Sequence, residues 1–111
     1  MIIEERQEIA KQIFNKCIEI LMKKGEAYAG NEDCLANFKR NAERLGLTKY
    51  QIWSVYANKH VDSVNNAIKY SPEKPIEKSE SMEGRIIDVI NYYIILWAML
   101  KEDGLIKEVI I

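Results

Sequence analysis

The sequence is poor in the residues on which several chemistries depend. It holds two cysteines, Cys17 and Cys34, and a single histidine, His60. Without a close Cys/His pair it offers no zinc site at the usual ligand spacing. In a reducing compartment neither cysteine forms a disulfide, and Cys17 falls on an apolar helix stripe, where a thiol serves as a small hydrophobe. Only two prolines occur, Pro72 and Pro75, and both fall in one connecting stretch. Neither sign of charge is in excess. Sixteen basic residues (Lys+Arg 16) against Asp+Glu 17 leave a net charge of -1, which argues against a general nucleic-acid or anionic-membrane surface. A local basic group, Lys39-Arg40 with Arg44, is still able to hold phosphate. No basic start followed by an apolar run marks a signal peptide, because Glu4, Glu5 and Glu8 follow at once. The apolar run from Ile86 to Leu100 contains Asp88 and Asn91 and is short for a bilayer span. A cytoplasmic protein is expected, with no membrane partner. No strand pattern of any length is present either, so the expected fold is all-α: a bundle of about four helices in a single domain over residues 1–111.

What is present is helical periodicity. With 48% hydrophobic and 30% charged residues, the chain reads as a globular domain of ordinary size. The first helix is expected from about Glu4 to Lys24. Ile9, Ala10, Ile13, Phe14, Cys17, Ile20 and Leu21 form its stripe, and Gly25 serves as its stop. Residues from Glu26 to Asp33 lose the period and read as a connection, in which Asn31 or Asp33 is placed to cap the next helix. That second helix, about Cys34 to Leu45, carries Leu35, Phe38, Ala42 and Leu45 inward and is closed by Gly46. Thr48-Lys-Tyr-Gln51 is a capping box opening the third helix, with Leu47 and Ile52 as a hydrophobic staple. Trp53, Tyr56, Ala57, Val61, Val64, Ala67 and Ile68 form its stripe, with His60 in the middle as a hydrogen-bonded core residue. Lys59, Ser63 and Asn66 follow one polar edge.

The stretch from Ser81 to Leu100 is apolar almost all the way round, with one polar line through Gly84, Asp88 and Asn91 and with Tyr92 beside it. A carboxylate and an amide on a helix buried on most sides need partners. Two readings stay open: a structural Arg85–Asp88 ion pair at i,i+3, or a pocket shared by Asp88 and Asn91. Ser79 and Ser81 are both placed to cap this helix, whose free amides then offer an anion site. An all-round apolar helix and an apolar C-terminus exceed what four helices hide, so a homodimer or higher homo-oligomer through apolar helix faces is expected.

As an ordered set, Lys24-Gly-Glu-Ala-Tyr28-Ala-Gly, Asn37-Phe38, Lys59, Ser81, Asp88 and Asn91-Tyr92 resemble the nucleotide modification associated domain type 1 family, found widely in phages and prophages. That family in turn is similar to the MazG-like all-α nucleoside triphosphate pyrophosphatases, whose Glu and Asp residues hold Mg²⁺. The resemblance implies a nucleotide-binding phage or prophage protein of nucleotide modification, metabolism or sequestration. Arg40, Lys59 and the start of the fourth helix would hold phosphates, Tyr28 or Phe38 would stack on a base, and Asp88 and Asn91 would position sugar, base edge or metal. Asn37, Ser81 and Tyr92 complete the expected ligand site. A second possibility is Mg²⁺-dependent pyrophosphohydrolysis, with the ion on Asp88 and Glu83 or Glu26. A third is a small interaction module that inhibits a host protein.

Overall fold

The computed structural model describes residues 1–29 and 33–107. Among the described residues four helices make the fold: α1 (Ile3–Ala29), α2 (Ala36–Leu45), α3 (Lys49–Tyr70) and α4 (Met82–Glu102). Among the described residues there is no strand, and the chain is an all-α bundle. No helix is long and apolar enough to cross a membrane, again among the described residues.

Local chemistry sets most of the helix ends. Thr48 accepts from the Gln51 amide while the Gln51 side chain accepts from the Thr48 amide, so the capping box is complete. Gly46, at φ 67° and ψ 32°, ends α2 in the left-handed region that favours glycine. Asp33 prepares the start of α2 by accepting from the Leu35 amide at 2.9 Å; Asn31, the other expected cap, lies outside the described residues. At α4 the cap is Ser81, whose hydroxyl accepts from the Gly84 amide at 3.0 Å. Ser79 instead joins the connection that precedes the helix, where its hydroxyl bonds to Glu77.

The first helix corrects the expected boundary. It continues through Gly25 to Ala29, because Glu26, Ala27 and Ala29 are good helix formers and one glycine costs only about 1 kcal/mol.

The main core lies among α2, α3 and α4, where Leu35, Phe38, Ala42, Ile52 and Met99 are buried together. Tyr50, Trp53, Tyr56, Tyr92, Ile95 and Leu96 pack against it, half-buried. Cys17 on α1 is fully enclosed. Helix α4 also corrects its expected burial. Its buried residues are Arg85, Asn91 and Met99, while Ile86, Tyr93, Ile94 and Trp97 remain exposed. A helix apolar on every side cannot bury all of them against three neighbours, so the choice of buried face falls to its few polar side chains and their partners. The radius of gyration, 15.9 Å, exceeds the roughly 13 Å of a compact domain of this length.

Candidate functional site

A cavity of about 630 Å³ opens among all four helices. Its wall takes Leu21, Met22, Lys24 and Gly25 from α1, and Asn37, Phe38 and Asn41 from α2. Tyr56, Lys59 and His60 come from α3, and Asp88, Asn91, Tyr92, Ile95 and Ala98 from α4. Most of the wall's surface is apolar, and polar side chains from all four helices interrupt it.

The aromatic side takes Phe38 from α2, Tyr56 and His60 from α3, and Tyr92 from α4. Phe38 meets the Tyr92 ring edge-on at a centroid distance of 6.5 Å and 89°, and the Tyr56 ring at 6.1 Å. His60 lies partly over Tyr92, with centroids 5.1 Å apart and planes inclined by 31°. Trp53 donates its indole N–H to the Tyr92 carbonyl, which fixes the turn of α4 that carries Asn91 and Tyr92. Asn41 donates to Asn37 Oδ1 and to the Tyr56 hydroxyl, so the α2–α3 wall is cross-braced by amides.

The charged side is a chain of contacts. Glu77, in the connection before α4, accepts from the amides of Ser79 and Glu80, from the Ser79 hydroxyl and from Arg85. Above all the Ser79 amide, helped by Arg85, pulls its carboxyl down to about 2. Arg85 is buried, reaches Glu80 at 3.3 Å, and donates from Nη1 to His60 Nδ1 at 2.9 Å. A guanidinium only donates, so Nδ1 must accept and the imidazole proton sits on Nε2. Burial lowers the pKa of His60; Asp88 opposes this, while Arg85 and Lys59 add to it. Asp88 Oδ2 stands 3.6 Å from His60 Nδ1, and its Oδ1 accepts from Lys24 Nζ at 3.1 Å.

The Arg85–Asp88 pair, one of the two readings open in the sequence, does not form. Arg85 turns to Glu77, Glu80 and His60, and Asp88 is held by Lys24 across the α1–α4 contact. Local i,i+3 spacing loses here to carboxylates that the preceding connection folds back onto Arg85.

No family model, curated protein or solved structure matches the chain. The placement of the sequence-predicted residues therefore comes from the geometry alone. Asn37, Phe38, Lys59, Asp88, Asn91 and Tyr92 come together on the cavity wall. Ser81 does not; it lines a shallow recess on the other side of Asp88, with Lys23, Lys24 and Gly84. Arg40 is exposed and absent from the wall, because it stands roughly 200° round α2 from Phe38. The Tyr28 side chain lies outside the described residues.

His60, Lys24, Asn41 and Tyr56 belong to the site without having been expected in it. For Lys24 the signal was present in the Lys24–Tyr28 motif. For His60 it was the lone imidazole on an otherwise apolar stripe.

Mg²⁺ does not fit the donor set. That ion takes hard oxygen ligands in a near-octahedral array. Asp88 is already paired with an ammonium, and Glu83 and Glu26 are exposed and line neither cavity nor recess. Among the described residues no three His, Cys, Asp or Glu side chains gather to hold a metal.

Proposed function

We propose that the cavity binds a nucleotide or a nucleotide-derived small molecule, and that binding rather than hydrolysis is its task. One observation carries this proposal: aromatic faces, side-chain amides and two lysines surround a single cavity of about 630 Å³, within the roughly 300–1,000 Å³ of small-molecule sites. Phe38 and Tyr92 supply faces for a base. Lys59, exposed at the rim, supplies charge for phosphate, while Lys24 beside the cavity is held by Asp88. Asn37, Asn41 and Asn91 supply orientation.

The same ligand class follows from the resemblance to the phage nucleotide modification associated family, in which such a protein could hold a nucleotide signal without converting it. Pyrophosphohydrolysis is disfavoured by Asp88, whose charge is already met by Lys24, and by the outward position of Glu83.

A second copy of the chain is the further partner we propose. Phe14, Ile18 and Met22 recur every fourth residue along α1 and stay exposed, as do Ile86, Tyr93 and Trp97 on α4. With the extended radius of gyration, these side chains favour burial between protomers over exposure in a monomer.

The test is a thermal-shift panel of canonical, cyclic and modified nucleotides, with and without Mg²⁺, each recovered and analysed by chromatography. A ligand at a hundred times its dissociation constant adds about 2.7 kcal/mol. A shift with the nucleotide recovered intact is expected. A nucleotide recovered as monophosphate and pyrophosphate would replace binding by hydrolysis, and melting indifferent to every nucleotide would end both.

A further inference from the structure

Asn91 is the most deeply buried polar group of the cavity wall, with 6% of its surface exposed. Its amide orientation is decided by α1. The Cys17 carbonyl can only accept, so Asn91 must turn Nδ2 towards it, and does so at 3.2 Å. The other amide atom, Oδ1, is left buried with no hydrogen-bond partner. Interiors rarely keep an acceptor in that state, because it has lost water and gained nothing in return. None of the side-chain donors on the wall meets it, and Lys24 is engaged by Asp88.

We infer that Asn91 Oδ1 is the base-reading acceptor of the site, and that the ligand is a nucleotide whose base carries an exocyclic amine. This rests on the nucleotide reading of the cavity. An amine projects beyond the ring, as a donor to a recessed oxygen must. The imide N–H of a uracil- or thymine-type base lies between two carbonyl groups. Docked on Asn91 it could match one of those oxygens with the second Nδ2 proton, but the other would be left beside Oδ1, acceptor against acceptor. An adenine- or cytosine-type edge presents its amine beside a ring nitrogen and avoids that arrangement. Phe38 and Tyr92 line the same cavity, so the ring that carries the amine has an aromatic surface to lie against. Asn91 thereby acts as a specificity-determining residue, while Lys59 at the rim acts on any phosphate alike.

The experiment is a calorimetric titration of the full chain with matched pairs. Adenosine 5′-monophosphate is compared with purine riboside 5′-monophosphate, which lacks only the amine; cytidine 5′-monophosphate is compared with its desamino counterpart. In at least one pair the amine-bearing nucleotide is expected to bind about tenfold tighter, the worth of one buried hydrogen bond. In Asn91→Leu that ratio falls to about one, whereas a merely structural Asn91 would weaken both members equally and leave the ratio intact. Equal binding of both members by the unaltered protein overturns the inference and leaves the nucleotide reading standing. So does a ratio that survives in Asn91→Leu. The unaltered-protein comparison decides even where the variant fails to fold. Binding of no nucleotide at all overturns the nucleotide reading and this inference together.

Discussion

Met99 is fully enclosed, at 0% exposure, among Leu35, Phe38, Ala42 and Ile52. It lines neither the cavity nor the recess, so its replacement tests packing apart from ligand contact. Met99→Ala removes a buried chain of three heavy atoms and leaves a void that three helices cannot close completely. Core truncations of this kind cost about 2–5 kcal/mol, the transfer of the lost groups plus the cavity left behind. Taking about 3 kcal/mol, and roughly 4 °C per kcal/mol for a domain of this size, the melting temperature should fall by roughly 12 °C. Met99→Leu nearly conserves volume and should cost less than about 1.5 kcal/mol. Differential scanning calorimetry of the two variants beside the unaltered protein is the assay. If Ala and Leu lower the melting temperature alike, or if Ala lowers it by only a degree or two, Met99 is not the keystone of the α2–α3–α4 core and the packing described above is wrong.

The single histidine gives an unambiguous nuclear magnetic resonance probe, and it should titrate below the ordinary 6.5. Folding lowers that pKa, so the unfolded chain takes up the proton first; stability should decline as pH falls below 6.5, and Asp88→Asn should push the titration lower still. A second decline should follow between 4.5 and about 2 as Glu77 is protonated, visible in urea midpoints measured against pH. Among the glycines, Gly46→Ala should cost about 1 kcal/mol through its positive φ, whereas Gly25→Ala, helical and with open space round its Cβ, should gain about 0.5–1 kcal/mol. Light scattering should find a dimer or larger assembly that Phe14→Lys with Trp97→Lys reduces to the monomer; a monomeric unaltered protein would refute the second-copy proposal.

Features governed by near neighbours along the chain are legible in the sequence. The Thr48–Gln51 box, the Gly46 stop and the Ser81 cap depend on a few adjacent residues, and each forms. The four-helix division follows from the same signals. Gly25 misleads because a glycine after two lysines looks like a stop, while helix interiors tolerate one glycine for a modest cost. The inward face of α4 is less legible. Its apolar residues point in every direction, so periodicity cannot choose which to bury, and the choice falls to Arg85, Asn91 and Met99. Contacts across the fold are not legible at all. His60 meets Arg85 and Asp88, and Lys24 meets Asp88, across stretches whose spacing encodes no partner. Arg40 stands beside the Asn37-Phe38 motif, yet its helical angle from Phe38 turns it outward.

The measurement closest to the central claim is a chemical-shift titration of isotopically labelled protein with the nucleotide that stabilises it most. A nucleotide seated in the cavity shifts the signals of Asn37, Phe38, Lys59, His60, Asn91 and Tyr92 together and in saturable fashion, and leaves those of exposed Glu83 and Arg40 nearly still. Shifts scattered over the surface, confined to the Lys39–Arg40 region, or absent at millimolar nucleotide would contradict a nucleotide site among the four helices.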